Sequence, residues 1–217
     1  MRLILVGLDY RTAPLELRER LQADDAHLLP LLATLRDGPL DELVVLSTCN
    51  RYEVFATCDY PALAQDAIAD CLLSAQGIPM RPLLDSLYRK DGADAVRHLF
   101  RVAAGLESLV LGETQIMRQL AGALDQAYQS RTSGALLNRL YTTALHTGKR
   151  ARTETAISQH TLSVSHAAAQ LVQREVVSRE RPHIVVVGAG EMATLAAGAL
   201  AQHTADTGST ITIVNRS

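Results

Sequence analysis

The residues best suited to chemistry in this sequence are five neighbours, Ser47-Thr48-Cys49-Asn50-Arg51. Cys49 carries a thiol, and its thiolate form is a soft nucleophile. Arg51 stands two residues away, where its positive charge would favour the thiolate or hold a carboxylate through two parallel hydrogen bonds. A lone cysteine in a hairpin is more often a packing residue, but polar side chains clustered on one connection indicate a site. We therefore predict a nucleophilic cysteine at position 49.

Apolar runs on both sides must position this segment. The run 43–46 leads into it and the alternating run 52–55 leads out, so two strands joined by a tight polar turn are predicted. The other two cysteines, Cys58 and Cys71, fall at a strand end and in an apolar helix, and we interpret both as packing residues. Three cysteines without a CxxC pair argue against a disulfide framework and a zinc site, so no metal is expected.

Composition limits the possible partners of the chain. Hydrophobic residues make up 47% of its 217 residues and aromatic residues only 4%, so Leu, Val and Ala must build the core. A formal net charge of -2 excludes a strongly basic nucleic-acid-binding protein. Any RNA contact must be local, and the cluster Lys149–Arg152 is the best candidate for phosphate contact. No run reaches membrane-spanning length and the start is too short for a signal peptide, so we predict a cytoplasmic protein without membrane contact.

A histidine in a predicted helix is a second candidate for chemistry. The helix covers about Ala93–Ala104, and its apolar residues share one face. His98 falls nearly opposite that face, so we do not expect it in the core. It lies either on a solvated surface or on a face turned towards the Cys49 loop, where it could act as an acid or base. Before this helix, residues 83–88 are predicted as a strand.

A glycine-bracketed stretch, Gly105–Ile116, follows and leads into another helix. Glu113 suits the first turn of that helix because of the helix dipole. Gln115 and Gln119 are four residues apart and therefore project along one edge of the helix. Two aligned amides can hold polar ligand atoms, although they are more often ordinary surface residues.

A dinucleotide-binding pattern lies near the end of the sequence. The β-branched run 183–187 is followed directly by a GxGxxA turn and an Ala-rich helix, which is much more specific than the glycines alone. A second strand, 211–214, ends without an acidic residue, and an arginine there can pair with a 2′-phosphate, so NADPH is the predicted cofactor. The predicted cofactor-binding residues are Gly188, Ala189, Gly190, Glu191, Met192, Ala193, Asn215, Arg216 and Ser217.

These patterns predict two domains joined by a helical connection. Residues 1–155 are expected to form an α+β catalytic domain with a small, mainly antiparallel sheet and packed helices. Residues 156–181 are a helical connection. Residues 182–217 are the first βαβ part of an α/β Rossmann-like NADP-binding domain, which needs several more strands than two.

The segment Ser-Thr-Cys-Asn-Arg followed by Tyr-Glu resembles the active-site segment of glutamyl-tRNA reductases. Two further segments, Gly7–Pro14 and Gly105–Ile116, are similar to segments of the same family. The resemblance implies that a histidine at position 98 matters for activity, and that Thr114 stands where proline is expected. It also implies substrate contacts at Ser108, Glu113, Thr114, Gln115 and Gln119.

The implied reaction is NADPH-dependent reduction of glutamyl-tRNA to glutamate-1-semialdehyde, the first step of tetrapyrrole synthesis from glutamate. Cys49 would attack the glutamyl ester and form a thioester, which hydride then reduces. Arg51 would bind the substrate side-chain carboxylate, and His98 would move a proton or position the ester. The amine and carbonyl would be held by Thr48, Asn50, Ser108, Gln115 and Gln119.

The resemblance also implies partners and a longer protein. Glutamyl-tRNA is the implied substrate, a C-terminal domain outside this sequence would form a homodimer, and a downstream aminomutase is a possible partner. We expect the 217 residues alone to lack measurable NADPH affinity. Two alternatives remain open at this point. One is an NADP reductase of the shikimate dehydrogenase kind, and the other is a non-catalytic module that binds tRNA or a protein partner.

Overall fold

The computed structural model describes residues 1–75, 79–158, 164–176, 182–204 and 208–215, with the side chains of 164–167, 191–192 and 203–204 left out. The chain divides into two compact units, Met1–Ser158 and Gln159–Ser217. Within the described ranges, no helix has the length and apolar character needed to cross a membrane.

The first unit is an α+β fold, as predicted, with a small antiparallel sheet and packed helices. Its described strands are β1 (Arg2–Asp9), β2 (Glu42–Thr48), β3 (Arg51–Cys58) and β4 (Tyr88–Asp91). Its described α-helices are α1 (Leu15–Ala23), α2 (Asp25–Thr34), α3 (Pro61–Leu73), α4 (Met80–Ser86), α5 (Gly92–Ala103), α6 (Gln115–Gln129) and α7 (Ala135–Glu154).

The four strands pair in the order β2-β3-β1-β4, and every pair is antiparallel. Successive side chains of a strand point to opposite faces of a sheet. In β1, Ile4, Val6 and Leu8 therefore pack against α1 to α4, whereas Leu3 and Leu5 pack against α5 to α7. Because helices cover both faces, the side chains on both sides of the central strands are buried, including Arg51 and Glu53 of β3.

The prediction of a strand at residues 83–88 is wrong. Helix α4 occupies most of this stretch, and the strand β4 begins only at Tyr88. Pro82 lies in the first turn of α4, where its missing N–H is not needed, and Leu83 is fully buried beneath the helix. β4 is an edge strand with the sequence Tyr-Arg-Lys-Asp, whose charges discourage further strand pairing.

The second unit contains α8 (Val164–Val176), β5 (His183–Val187), α9 (Glu191–Thr204) and β6 (Thr210–Val214). β5 and β6 pair in parallel, with Ile184 opposite Ile211, and α9 lies between them in the chain. The predicted order of strand, glycine turn, helix and strand is therefore present. Two strands and one crossover helix do not define a Rossmann-like sheet, so that assignment stays a prediction.

Candidate active site

The predicted hairpin around the thiol is confirmed. β2 and β3 pair up to Thr48 and Arg51, so that only Cys49 and Asn50 connect them. The Thr48 hydroxyl accepts hydrogen bonds from the backbone N–H groups of Asn50 and Arg51 at 3.2 and 3.1 Å. Such a side-chain-to-backbone turn suits threonine at the first position. The Cys49 side chain is exposed, whereas Cys58 and Cys71 are buried packing residues, as predicted.

A narrow cleft beside Cys49 collects most of the predicted substrate-binding residues. Its lining comprises Thr48, Cys49, Asn50, Arg51, Ser108, Glu113, Gln115, Ile116 and Gln119. The hairpin supplies one wall, and the loop before α6 together with its first turn supplies the other. Thr114 is exposed and is not part of the lining. The cavity volume is about 20 Å³, which holds roughly one water molecule, so an acyl group can enter only if these side chains move apart.

The electrostatics of the thiol differ from the prediction. Burial raises the pKa of the Cys49 thiol, and the carboxylate of Glu113 raises it further, while Arg18 acts in the opposite direction. Arg51 is predicted either to favour the thiolate or to hold a carboxylate; it does not contribute to the pKa shift of the thiol, and its guanidinium pairs with Glu53 at the buried end of the cleft. Arg51 and Glu53 are two residues apart in β3 and therefore point to the same face of the sheet, where the guanidinium pairs with the carboxylate.

Arg51 forms the buried end of the cleft. It is 1% exposed, its Nη1 donates to Oε1 of Glu53 at 2.8 Å, and its Nη2 donates to the backbone carbonyl of Glu107. Glu53 is fully buried, and its Oε1 also accepts hydrogen bonds from Tyr88 and His98. Burial alone would raise the pKa of Glu53, but the charge of Arg51 and these hydrogen bonds lower it to about 2.

His98 is buried, so its expected place outside the core is wrong. Its ring is 6% exposed, its Nε2 lies 2.8 Å from Oε1 of Glu53, and it is close to the Tyr88 ring. The apolar face of α5 is broader than the helical spacing suggested, because Ala95 and Val102 are buried with it. His98 does not line the Cys49 cleft; within the described residues it lines a neighbouring depression instead, and it reaches Arg51 through Glu53.

Gly7 of β1 makes room for this buried carboxylate. It lies opposite Glu53 in the sheet. A Cβ at position 7 would come within 2.7 Å of the Tyr52 carbonyl oxygen and 2.9 Å of Cα and Cγ of Glu53. Only glycine allows this close approach of two strands at the point where a charged side chain must fit.

The loop that carries Ser108 and Glu113 is fixed at both ends. Gly105 and Gly112 have φ values of 78° and 80°, and Gly112 N–H donates to the Gly105 carbonyl at 2.9 Å. In the middle of the loop, the Glu107 carboxylate is bonded to Arg11 and Arg101. The predicted helix start at Glu113 is therefore two residues early, since α6 begins at Gln115.

The predicted phosphate-contact cluster, Lys149–Arg152, has one exposed ion pair and one arginine with internal contacts. The four residues lie in α7, where Arg150 forms an ion pair with Glu154. Arg152 donates to the carbonyls of Ala103, Gly148 and Glu113 at 2.8 to 2.9 Å. Arg152 therefore ties α7 to the loop of the cleft, and phosphate contact at this cluster stays a prediction.

The glycine turn of the second unit lies between β5 and α9. Gly188 has a φ of 106°, and its N–H donates to the Val214 carbonyl at 2.7 Å. A Cβ added at Gly190 would meet no atom within 4 Å, whereas one at Gly188 would meet the Ala193 methyl group at 4.0 Å. The side chains of Glu191 and Met192, and all of Arg216 and Ser217, lie outside the described residues.

Sequence reasoning missed three residues of this region. Arg18, Glu53 and Glu107 are all buried and charged. Glu53 could have been noticed, because a carboxylate in the middle of an apolar strand needs a partner. Arg18 gave no such signal, since it stands in a polar stretch of the sequence, whereas Glu107 stands in a largely apolar one and could also have been noticed.

Comparison with known proteins agrees with the geometry. Residues 6–155 match the family described as glutamyl-tRNAGlu reductase, N-terminal domain. Two relatives named glutamyl-tRNA reductase, from Synechocystis and Picosynechococcus species, are 43% and 40% identical and are matched over 100% of this chain, which covers 50% and 51% of their lengths. The solved glutamyl-tRNA reductase from Methanopyrus kandleri superposes with a TM-score of 0.64 at 33% identity, over 99% of this chain and 49% of that one. The chain spans about half the length of these relatives, and it belongs to the glutamyl-tRNA reductase family.

Proposed function

We propose that the protein to which this chain belongs reduces glutamyl-tRNA to glutamate-1-semialdehyde through a thioester on Cys49, with NADPH as reductant. The observation that carries this proposal is the cleft in which an exposed thiol faces a buried guanidinium, two amides and a carboxylate. A thiol nucleophile next to donors for an acyl substrate suits acyl transfer. Family membership supports glutamyl-tRNA as the acyl donor.

In the first step, the Cys49 sulfur attacks the ester carbonyl carbon of the glutamyl group. A new S–C bond forms, the ester C–O bond breaks, and the tRNA leaves as the alcohol of its terminal ribose. The thiol proton has to leave the sulfur during this attack. Glu113 lines the same cleft, and burial raises the pKa of its carboxyl group, so it is suited to take up this proton and deliver it to the leaving alcohol.

Substrate selection would depend on Arg51 and the amides. Arg51 uses two of its five N–H groups on Glu53 and Glu107, which leaves donors for the side-chain carboxylate of a glutamyl group. Thr48, Asn50 and Ser108, with Gln115 and Gln119, supply the polar atoms that would hold the amine and the carbonyl. Because Glu53 also binds His98, we assign His98 the role of positioning Arg51 rather than touching the reacting atoms.

The glycine turn of the second unit fits a dinucleotide. The space around Gly190 is open and α9 is 14 residues long, so a pyrophosphate could approach the backbone at a helix N-terminus. Gly188, Ala189, Gly190 and Ala193 would hold this group, and Asn215 stands at the end of the neighbouring strand, followed by Arg216 and Ser217 for a 2′-phosphate. Bound NADPH would supply the hydride that converts the thioester to an aldehyde and regenerates the thiol. A kcat/KM ratio that favours NADH over NADPH would refute the 2′-phosphate assignment.

The thioester is tested with glutamyl-tRNA that carries labelled glutamate, without NADPH. We expect label on the denatured protein that thiols release, and we expect none with Cys49→Ser. Cys58→Ser is the matched control and should retain the label, because Cys58 is buried. Label retained by Cys49→Ser would exclude the proposed nucleophile. Binding of tRNA without any label on the wild-type protein would favour a non-catalytic binding module.

The remaining assignments follow from family membership alone. We propose that the full-length protein is cytoplasmic, forms a homodimer through a further domain, and passes its aldehyde product to an aminomutase. Light scattering of the full-length protein tests the dimer. Product transfer is tested by adding an inactive aminomutase to a reaction that contains the active one. If the aldehyde passes directly between the two proteins, the inactive aminomutase should compete and slow the conversion of the aldehyde.

A further inference from the structure

Arg18 is a buried arginine of α1 that lies directly beneath the Cys49 turn. Its side chain is 8% exposed. It stands 31 residues before Cys49 in the chain and is brought to the turn by the fold. Its Nη1 donates to the backbone carbonyl of Cys49 and, at 3.2 Å, to Oδ1 of Asn50. Its Nε donates to the Ala13 carbonyl at 3.3 Å, which ties the guanidinium to the start of its own helix.

The geometry of the turn explains why such a support is needed. Two-residue hairpin connections usually require positive φ values so that the turn matches the twist of the strands. Arg131 is the only non-glycine residue with positive φ within the described ranges, so Cys49 and Asn50 both have negative φ. This turn is therefore not of the favoured type, and hydrogen bonds from outside the hairpin must help to hold it.

The charge of Arg18 is a second, independent observation. All of its hydrogen bonds end on neutral oxygens, and within the described residues it has no carboxylate partner. Buried charges are normally paired. The ionisable groups that face the Cys49 thiol are Arg18 from α1, Glu113 from the loop before α6, and Arg51 from β3, which is already paired with Glu53.

We infer that Arg18 is a positioning residue for Cys49: its guanidinium fixes the Cys49–Asn50 turn and places an unpaired positive charge beneath the thiol. This inference rests on the proposed function only in that Cys49 is the nucleophile. As the proton leaves Cys49, negative charge develops on sulfur and Arg18 becomes its counter-ion. Burial and the charge of Glu113 raise the pKa of the thiol, so it stays protonated at rest, and the positive charge of Arg18 favours its ionisation during the reaction.

The test is the pH profile of Cys49 alkylation by iodoacetamide, read from the mass of the Cys49 peptide. Only the thiolate reacts, so the midpoint of the profile reports the thiol pKa. In Arg18→Met the midpoint should move to higher pH, with alkylation at pH 7 slowed roughly tenfold or more, since a nearby charge changes a pKa by about 1 unit or more. Arg20→Met is the matched control, because Arg20 is exposed on the same helix, and it should leave the midpoint unchanged.

Arg18→Lys keeps the charge but cannot hold both oxygen acceptors with one planar group. The midpoint of its alkylation profile should also move to higher pH, but by less than in Arg18→Met. If Arg18→Met does not fold, the result for Arg18→Lys decides the test. Midpoints equal to that of the wild type in the folded Arg18 variants would overturn the inference. An upward shift, found in a protein that forms no labelled thioester, would refute the proposed function and leave the role of Arg18 in place.

Discussion

Arg51 and His98 are bonded to the same oxygen atom, Oε1 of Glu53, at 2.8 Å each. The two side chains come from β3 and α5, and the carboxylate between them is fully buried. A guanidinium that is held in this way has little freedom to adopt other rotamers. The site thus has a rigid charged group at the buried end of the cleft and the Cys49 thiol at its exposed end.

We expect His98→Asn to impair substrate binding more than chemistry. The variant loses a hydrogen bond to a buried carboxylate, a loss of about 1.5–3 kcal/mol in the free energy of unfolding. Because Arg51 then becomes less well held, the glutamyl-tRNA concentration for half-maximal thioester formation should rise several-fold. The rate at saturation should change less. A fall in the saturating rate with unchanged half-saturation would instead indicate that His98 transfers a proton.

Tyr88→Phe is the matched control for His98→Asn, since it removes a different donor to the same oxygen of Glu53. It should lower the unfolding free energy by about 1–3 kcal/mol and shift half-saturation in the same direction. Opposite effects of the two variants on half-saturation would contradict a shared action through Glu53.

Stability at low pH should depend on Glu53. Its pKa is about 2 in the folded protein against an ordinary value of 4.5 for glutamate, so it remains ionised in the folded state while it protonates in the unfolded chain. Its stabilising contribution is complete above pH 4.5 and is lost as the pH falls from about 4.5 towards about 2, roughly 3 kcal/mol in total. Urea denaturation across this range should therefore show a steeper fall for the wild type than for Glu53→Gln. Parallel pH profiles would show that Glu53 is not held ionised by its partners.

Gly7→Ala should disrupt the pairing of β1 and β3. The added methyl group would lie 2.7 Å from the Tyr52 carbonyl oxygen, and backbone atoms cannot move away easily. Overpacking of this kind costs about 1–3 kcal/mol or more. Gly122→Ala is the matched control in the exposed face of α6, where nothing lies within 4 Å, and it should stabilise the helix by about 0.5–1 kcal/mol. Thermal unfolding of both variants measures the difference in their stability. Equal melting temperatures would contradict the close approach of β1 and β3 at Gly7.

Glu113→Gln should make the Cys49 thiol ionise more easily and yet react more slowly with the substrate. Removing the carboxylate removes a cause of the raised pKa of Cys49, so the alkylation midpoint should move to lower pH. Thioester formation should nevertheless become slower, by about 100-fold if Glu113 accepts the thiol proton. Faster alkylation together with faster thioester formation would show that Glu113 only opposes ionisation. Gln126→Glu, on α6 and outside the cleft lining, should change neither rate.

The sequence alone determined the parts that depend on neighbours in the chain. The Cys49 hairpin follows from two apolar runs around a polar pair, and the glycine turn follows from a β-branched run before small residues. The helical spacing of α5 located the helix within one residue at each end. Local periodicity did not reveal the burial of His98, because it reports an apolar stripe but not the width of the face that another element covers.

Only the tertiary structure decided which charged groups meet. Glu53 binds His98 and Tyr88, 45 and 35 residues further along the chain, and Arg18 reaches the thiol turn across 31 residues. Several arginines and carboxylates in this sequence could pair with one another equally well by charge. Which of them pair depends on the sheet register and on the packing of α1 and α5, because these remove particular charged groups from water together. A buried charge is stable only where its partners are already in place.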